Sequence, residues 1–298
     1  MNCPHHHYVY KQIPKSYRDL PYRVSEYGDV FRYESSGGLS GLMRARGFCI
    51  NDAHIYCRED QVEEEFIKVL EMYRFYYEKL GITEYQMRLS KAAKDKSKFV
   101  DNWPEWEKTQ NIARQAMEKI GFPFVEEEGE AAFYGPKIDV QIKSAIGTEY
   151  TISTNQLDFL ASDRFNLTYT GEDGKEHPIY VIHRAPMSSH ERMVGYLIEH
   201  YAGHFPLWLS PTQVVVSGIV DKHNDHVQKV VERLKAEGIR AEGDYRNEKI
   251  NYKIREHMAA KVSMVAVIGD KEAENGQINI RRLGSKDQNT YDLEQFIT

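Results

Sequence analysis

Long apolar runs, internal repeats and a disulfide pattern are all missing from this 298-residue sequence. No apolar run is long enough to span a bilayer, and residues 1–7 lack the apolar core of a signal peptide. The three cysteines, Cys3, Cys49 and Cys57, cannot all pair and do not form the disulfide framework of a secreted domain. We therefore predict a reducing location, the cytoplasm or an organellar matrix, and no membrane partner.

An excess of positive charge is missing as well. The formal net charge is −6, whereas proteins that bind nucleic acids through a broad surface are usually basic. The segment from Pro211 onward has 14 Lys and Arg against 14 Asp and Glu, which leaves 25 against 31 before it. We therefore expect any RNA contact to be local and to depend on the shape of the RNA.

The composition is that of a globular protein, with 41% hydrophobic and 28% charged residues and a length that fits one large and one small domain. Apolar spacing predicts helices over 62–80 and 106–120 and a strand over 85–90. Residues 138–143 alternate apolar and polar side chains, the pattern of a strand with one buried face. Further strands over 148–159, 165–170 and 178–182, joined by short turns, predict an antiparallel sheet.

A change of pattern follows the predicted linker at Pro206–Pro211. Strands and helices alternate from there to Ile268, with strands at 214–216, 240–244 and 264–268 and helices at 223–237 and 249–261. This order predicts a small α/β domain with a mainly parallel sheet. We place the two domains at residues 1–208 and 209–298.

The segment from Val30 to His54 contains a candidate nucleotide site. Arg32 and Glu34 are two residues apart, so on a strand they point to the same face. A turn rich in glycine and serine follows, and the chain returns through Arg44 and Phe48. Guanidinium groups bind phosphates, a carboxylate accepts from an amino group and a ring stacks on a base. A solvated hairpin with surface ion pairs explains the spacing equally well.

The hairpin resembles motif 2 of the class II aminoacyl-tRNA synthetases through Phe31-Arg32-x-Glu34, Arg44 and Gly47-Phe48. Other blocks are similar to threonyl-tRNA synthetases in the same order, namely MNCPHH at 1–6, GLMR at 41–44, DAHI at 52–55, FYGPKI at 133–138, QLDF at 156–159 and HRA at 183–185. The resemblance covers nearly the whole chain and lacks the family's amino-terminal and editing domains and motif 1. It implies an α+β protein with an antiparallel-sheet catalytic core before a small α/β anticodon-binding domain.

The resemblance implies a threonine–tRNA ligase that uses ATP with Mg²⁺. The threonine carboxylate would attack the α-phosphorus, a reaction that needs alignment and charge neutralisation and no protein nucleophile. The implied catalytic residues are Arg32, Lys137 and Arg192. The implied ATP ligands are Arg32 for the α-phosphate, Glu34 and Phe48 for adenine, and Arg44 and Arg192 for the γ-phosphate.

A zinc site follows from the resemblance and from no local spacing, because Cys3, His54 and His183 stand far apart in the sequence. One thiolate and two imidazoles suit Zn²⁺, and three protein ligands leave a coordination position open. Threonine can present its amino and hydroxyl groups there, whereas valine has no hydroxyl. We expect one Zn²⁺ per chain. The implied threonine ligands are Asp52, Tyr134, Gln156 and Ser189.

The small domain would bind tRNA(Thr), since an amide, a carboxylate and a guanidinium can each bond base edges of an unstacked loop. By resemblance the anticodon readers are Asn247, Glu272 and Arg281, although each residue type is more often an ordinary surface residue. We expect a homodimer in the complete enzyme. Because motif 1 lies upstream in the family, we expect this chain to be the carboxy-terminal portion of a longer enzyme.

Four positions depart from the family pattern. Ile50 and Thr151 replace polar residues near the ligands, Asn155 replaces an apolar residue, and Ser188 replaces a glycine that lets backbone approach the nucleotide. Ile50, Thr151 and Ser188 favour an alternative, a non-catalytic paralogue that binds tRNA or a threonyl ligand for regulation. A third hypothesis is an adenylating enzyme with an acceptor other than tRNA, which the anticodon set argues against.

Overall fold

The structure is a computed structural model that describes residues 2–94 and 98–298. Met1, the first residue of the MNCPHH block, lies outside the described residues. The chain divides into two compact units, Met1–Tyr196 and Leu197–Thr298. Within the described ranges, no helix is both long and apolar enough to cross a membrane.

The first unit is built on a large sheet with helices packed against it. Its strands are β1 (Tyr22–Phe31), β2 (Gly47–Cys57), β3 (Gln86–Lys91), β4 (Phe124–Glu128), β5 (Lys137–Lys143), β6 (Glu149–Asp158), β7 (Thr168–Thr170), β8 (Glu176–Pro178) and β9 (Tyr180–Ala185). Its helices are α1 (Cys3–Lys11), α2 (Glu59–Lys79), α3 (Trp103–Ile120) and α4 (Ala161–Phe165), and α5 (His190–His200) contains the division between the units.

The large sheet has the strand order β1-β2-β9-β6-β5-β3-β4. All of its neighbouring pairs are antiparallel except β3 and β4. The short strands β7 and β8 form a separate antiparallel hairpin. The predicted antiparallel sheet is confirmed.

Helices α2 and α3 cover one face of this sheet. The apolar and aromatic stripe of α2 is fully buried, as predicted from its three- to four-residue spacing, and includes Phe66, Tyr73 and Tyr77. Helix α3 begins at Trp103, three residues earlier than predicted, because Pro104 fits the first turn of a helix. It ends at Gly121, whose φ of 74° is the left-handed conformation that terminates helices.

Two predictions about the first unit are wrong. Strand β5 is buried on both faces from Ile138 to Ile142. Asp139, which is 2% exposed, lines a cavity rather than solvent, and Gln141, which is 9% exposed, donates to Thr151 at 2.8 Å. The predicted strand over 165–170 is shorter, because α4 extends to Phe165 and Asn166 takes a left-handed turn. Helix α1 was not predicted, since its histidines and tyrosines give only a weak apolar stripe.

The second unit has one mixed sheet. Its elements are β10 (Val214–Gly218), α6 (Asn224–Ala236), β11 (Ala241–Asp244), α7 (Ile250–Ala259), β12 (Met264–Ile268), α8 (Asp270–Asn275), β13 (Gln277–Arg282), β14 (Gln288–Asp292) and α9 (Leu293–Ile297). The strand order is β11-β10-β12-β13-β14. The first three strands are parallel and the last two antiparallel, so the mainly parallel sheet is a wrong prediction. Strand β14 was missed because its polar side chains carry no buried pattern.

Candidate active site

A row of side chains crosses four strands of the large sheet. His54 of β2 pairs with His183 of β9, His183 pairs with Gln156 of β6, and Gln156 pairs with Lys137 of β5. Directly paired residues of antiparallel strands lie on the same face. The row therefore connects two imidazoles at one end with a lysine at the other.

A cavity of about 270 Å³ lies on this face. It is lined by all the residues implied to bind ATP or assist catalysis, which are Arg32, Glu34, Arg44, Phe48, Lys137 and Arg192. Of the implied threonine ligands, Gln156 and Ser189 line it too. Tyr134 lines an adjacent cavity of about 140 Å³ that also touches Cys3, His54 and His183.

The loop between β1 and β2 supplies the exposed cationic side of the large cavity. Strand β1 ends at Phe31, so Arg32 and Glu34 lie just beyond the strand on which we predicted them. The backbone N–H of Arg32 still donates to the carbonyl of Arg46 at 2.8 Å, which keeps the two sides of the loop together. The Arg32 guanidinium lies 5.5 Å from the centre of the Phe48 ring. A flat ligand and its phosphate can therefore be held by neighbouring groups.

Arg192, near the start of α5, is held by three acceptors. Its Nε donates to the Met43 carbonyl at 2.9 Å, and its Nη1 donates to the Thr151 carbonyl at 3.1 Å and the Ser188 hydroxyl at 3.3 Å. Burial lowers the pKa of Arg192, and the charges of Arg44 and Arg32 lower it further. Three guanidinium groups that repel one another make this cavity a site for a polyanion.

A polar chain links the row to a carboxylate that the sequence interpretation missed. The Tyr134 hydroxyl donates to Gln156, Gln156 donates to Thr154 at 3.0 Å, and Thr154 donates to Asp139 at 3.0 Å. Asp139 also forms an ion pair with Lys137 at 2.8 Å. Burial raises the pKa of Tyr134, which keeps its phenol neutral as a donor. The signal for Asp139 was its spacing of two residues from Lys137, which places both on one face of β5.

The implied zinc ligands come together at the imidazole end of the row. One ligand atom each from Cys3, Asp52, His54 and His183 lies within 4.8 Å of the others. The Asp52 side chain is fully buried, and its oxygens have no hydrogen-bond partner in the described part of the chain, although Oδ1 lies 2.6 Å from His183 Nε2. Unpartnered buried acceptors beside an imidazole nitrogen are what a cation would satisfy.

The chemistry of this cluster also fits a metal. Burial lowers the pKa of His54, which keeps its imidazole neutral and able to coordinate. Burial, and then Asp52, raises the pKa of the Cys3 thiol to about 12. A divalent cation reverses that effect, since a coordinated thiol is deprotonated. One thiol, two imidazoles and a carboxylate therefore form a suitable donor set for Zn²⁺.

Two further residues support the cluster from behind. His6 Nδ1 is hydrogen-bonded to His54 Nδ1 at 2.8 Å, and His6 Nε2 lies 3.5 Å from Glu26. The bond occupies Nδ1 of His54 and leaves Nε2 for the cluster. The sequence analysis included His6 only as part of the MNCPHH block, since nothing in the sequence places it beside His54 and Glu26.

The implied anticodon readers occupy different parts of the second sheet. Asn247 follows β11, and Glu272 lies in the first turn of α8 after β12, so both are at the carboxyl edge of the parallel strands. Glu272 accepts from the backbone N–H of Gly269 at 2.9 Å. Arg281 pairs with Val265 near the start of β12, at the other end of that strand. The fold brings two of the three residues to one edge.

Comparisons with known proteins agree with this geometry. Residues 1–201 match the family of the tRNA synthetase class II core domain (G, H, P, S and T), and residues 213–298 match the anticodon binding domain. The fold and the site therefore define a class II aminoacyl-tRNA synthetase core followed by an anticodon-binding domain. The crystal structure of the RNA binding domain of threonyl-tRNA synthetase from Cryptosporidium parvum superposes with a TM-score of 0.93 at 36% identity, over 100% of this chain and 74% of that one. The chain belongs to the threonyl-tRNA synthetase family.

Curated relatives match this chain along its whole length but are themselves about twice as long. Threonine–tRNA ligase 1 of Bacillus subtilis is 50% identical over 299 residues, and threonine–tRNA ligase of Listeria monocytogenes is 50% identical over the same length. Both matches cover 100% of this chain but 46% and 47% of the relatives. The chain thus spans about half the length of these relatives. A prolyl-tRNA synthetase of Cryptosporidium parvum has a TM-score of 0.72 at 16% identity and shares the fold.

Proposed function

We propose that this chain activates threonine with Mg-ATP and transfers it to tRNA(Thr), as a threonine–tRNA ligase. The observation that carries the proposal is the row His54–His183–Gln156–Lys137, which joins a metal-type cluster to a polycationic cavity on one sheet face. A small polar amino acid held at the cluster can reach a phosphate held in the cavity. The threonine carboxylate would then attack the α-phosphorus and pyrophosphate would leave, a step that requires alignment and charge neutralisation and no protein nucleophile.

The ATP half of the site would bind and orient the triphosphate. Arg32 and Lys137 would neutralise the α-phosphate, and Asp139 would hold Lys137 in place through the 2.8 Å ion pair. Arg44 and Arg192 would bind the γ-phosphate. Adenine would lie against Phe48, and Glu34 would accept from its amino group. Mg²⁺ would accompany ATP.

The other half would select threonine. Cys3, His54 and His183 would hold Zn²⁺, which when bound supplies a Lewis acid for the amino and hydroxyl groups of threonine. Asp52 would accept the hydroxyl proton, while Tyr134, Gln156 and Ser189 would complete the ligand set. In the structure the Ser189 hydroxyl accepts from the Arg192 backbone N–H at 3.1 Å, so this residue also caps α5. A pocket built around polar contacts excludes valine strongly.

The second unit would read the anticodon loop through Asn247, Glu272 and Arg281. We also propose the domain boundary at 208 and 209, within the gap between the family matches that end at residue 201 and begin at 213. The enzyme would act as a homodimer in the cytoplasm or an organellar matrix. Each of these statements extends what is known of the family to this chain.

A second candidate is a regulatory paralogue that binds tRNA or a threonyl ligand without catalysis. The observation in its favour is that three positions that depart from the family pattern, Ile50, Thr151 and Ser188, line the large cavity. Adenylation for an acceptor other than tRNA is the third candidate. The proposed anticodon readers argue against it.

Threonine-dependent ATP–pyrophosphate exchange tests the proposal. We expect exchange in the wild type and a loss of about 2–4 kcal/mol of transition-state stabilisation, at least about 30-fold in rate, in Arg32→Ala. The matched control is Arg18→Ala, an exposed arginine bonded to the neighbouring Tyr17, which should keep its activity. Charging of tRNA then separates a ligase from an adenylating enzyme. A folded wild type with no exchange would leave the regulatory candidate.

A further inference from the structure

Ser188 has a backbone conformation that is unusual for its position. Its φ is +52°, in the left-handed region that favours glycine. The other non-glycine residues with positive φ in the described ranges are Asn166, Ala202 and Lys261. Those three follow helix ends, where a left-handed residue terminates the helix. Ser188 instead precedes a helix, and helix termination does not account for its strain.

The side chain of Ser188 gives a reason for this conformation. Its hydroxyl accepts from Arg192 Nη1 at 3.3 Å in the wall of the large cavity. The other two acceptors of the Arg192 guanidinium, Met43 and Thr151, offer backbone carbonyls. Of these three acceptors, Ser188 is therefore the one that binds Arg192 through a side chain. Glycine would adopt the same φ without strain but would bring no hydroxyl to Arg192.

The guanidinium needs such support because its neighbours repel it. Arg44 and Arg32 both lower the pKa of Arg192, so their positive charges act on it in the folded protein. Without acceptors behind it, Arg192 would move away from the other two arginines when no phosphate is bound. Acceptors on the protein side keep it aimed into the cavity before the ligand arrives, which reduces the free energy lost on ordering the site.

We propose that Ser188 is a positioning residue that holds Arg192 in place for a nucleotide phosphate, at the expense of local backbone strain. The inference deepens the proposed function and rests on it, because it assumes that Arg192 contacts ATP. Strained residues persist where the surrounding structure and function require them. At position 188 the feature that we infer to be required is the hydroxyl group, which accepts the hydrogen bond from Arg192.

Two substitutions separate the hydroxyl from the strain. Ser188→Ala keeps the strained backbone and loses the hydroxyl, whereas Ser188→Gly loses both. The measurements are equilibrium binding of Mg-ATP, KM for ATP and for threonine in pyrophosphate exchange, and thermal unfolding. We expect both variants to bind ATP about three- to tenfold more weakly, with an unchanged KM for threonine. We expect Ser188→Gly to melt about 2–4 °C above Ser188→Ala.

Ala202→Gly is the matched control for strain alone. Ala202 has φ +48° and its side chain is a single methyl group, so the variant should gain stability and keep the wild-type affinity for ATP. Wild-type ATP affinity in both Ser188 variants would overturn the inference and leave the proposed function standing. Weak binding in Ser188→Ala with normal binding in Ser188→Gly would overturn it too, since the backbone would then be responsible. A wild type that binds no ATP would remove the proposed function and this inference together.

Discussion

Asn155 is the residue whose side chain fits its surroundings least well. It is fully buried, and neither its Oδ1 nor its Nδ2 has a hydrogen-bond partner among the described residues. It pairs with Ile138 on one side and Arg184 on the other, and its neighbour Gln156 lies on the face with His183 and Lys137. Asn155 therefore faces the helices rather than the ligands. The family pattern has an apolar residue here, which agrees with that environment.

We predict that Asn155→Leu stabilises the protein. Both side chains branch at Cγ, and the variant removes two unsatisfied polar atoms from the core, which should raise the free energy of unfolding by about 1–3 kcal/mol. Urea denaturation measures the change. The control is Asn111→Leu on the exposed side of α3, where we expect only a few tenths of a kcal/mol from helix propensity. A destabilised Asn155→Leu would mean that a water molecule or a shifted partner satisfies the amide.

A second prediction at the residue scale concerns His54, one of the proposed zinc ligands. We predict about one zinc per chain in purified protein and its loss in His54→Ala, since the variant removes one of the three proposed zinc ligands Cys3, His54 and His183. Metal analysis by mass spectrometry gives the ratio. His177→Ala is the control, because His177 is exposed and bonded to Asp173 in the β7–β8 hairpin. Undiminished zinc in His54→Ala would remove this residue from the site.

At the scale of elements, the turn between β11 and α7 depends on one buried carboxylate. Asp244 accepts from Arg246 at 2.7 Å and from His257 at 2.8 Å, and its backbone carbonyl accepts from the buried Lys253 at 3.1 Å. Burial acts to raise the pKa of Asp244, but the bonds from Arg246 and His257 dominate and hold it well below its usual range. The same turn carries Asn247.

The lowered pKa of Asp244 predicts that the protein loses stability as the pH falls into the acidic range. Because the folded pKa of Asp244 is below the unfolded value of about 4, its contribution to stability is complete above that value and is lost as the pH falls toward the folded pKa. We expect Asp244→Asn to destabilise the protein at pH 7 by about 3 kcal/mol, since Lys253 would keep a buried charge without its partner. Its stability should also vary less with pH below about 4. Denaturation curves from pH 2 to 7 give both results, and parallel curves for the two proteins would contradict the role of Asp244.

The elements also show what a sequence can predict. Helix α2 was predicted because a single face of it carries the apolar side chains, and β10 and β12 were predicted as short apolar runs. Strand β13 was not predicted, although its Ile278 and Ile280 belong to the core of the second unit. Strand β5 was misread because a polar face looks the same in sequence whether it faces water or a cavity, and Asp139 was missed for that reason. Strand β14 was missed because an exposed edge strand needs little apolar pattern.

At the scale of the whole molecule, the prediction of the zinc site depended on the family resemblance rather than on the spacing of its residues. Cys3, His54 and His183 are separated by many residues, and only the pairing of β2 with β9 and the placement of α1 bring them together. Periodicity carries no information about which strands become neighbours. The roles of His6 and Glu26 could not be predicted from the sequence for the same reason, because His6 contacts His54 and Glu26 contacts His6 only in the folded chain.

Because the chain has two compact units, we predict that tRNA binding and threonine activation can be impaired separately. If the second unit reads tRNA and the first activates threonine, Arg281→Ala should weaken tRNA binding about tenfold while threonine-dependent exchange continues. Arg282→Ala is a close control, because it removes the same charge from the neighbouring residue of β13, whose side chain points to the opposite face. If the arginines act only by general electrostatic attraction, the two variants should lose the same tRNA affinity. If Arg281 recognises a base, Arg281→Ala should lose more tRNA affinity than Arg282→Ala. Filter binding at two salt concentrations, beside exchange assays, distinguishes these outcomes. Equal loss of binding and exchange in Arg281→Ala would show a general folding defect and contradict the separation.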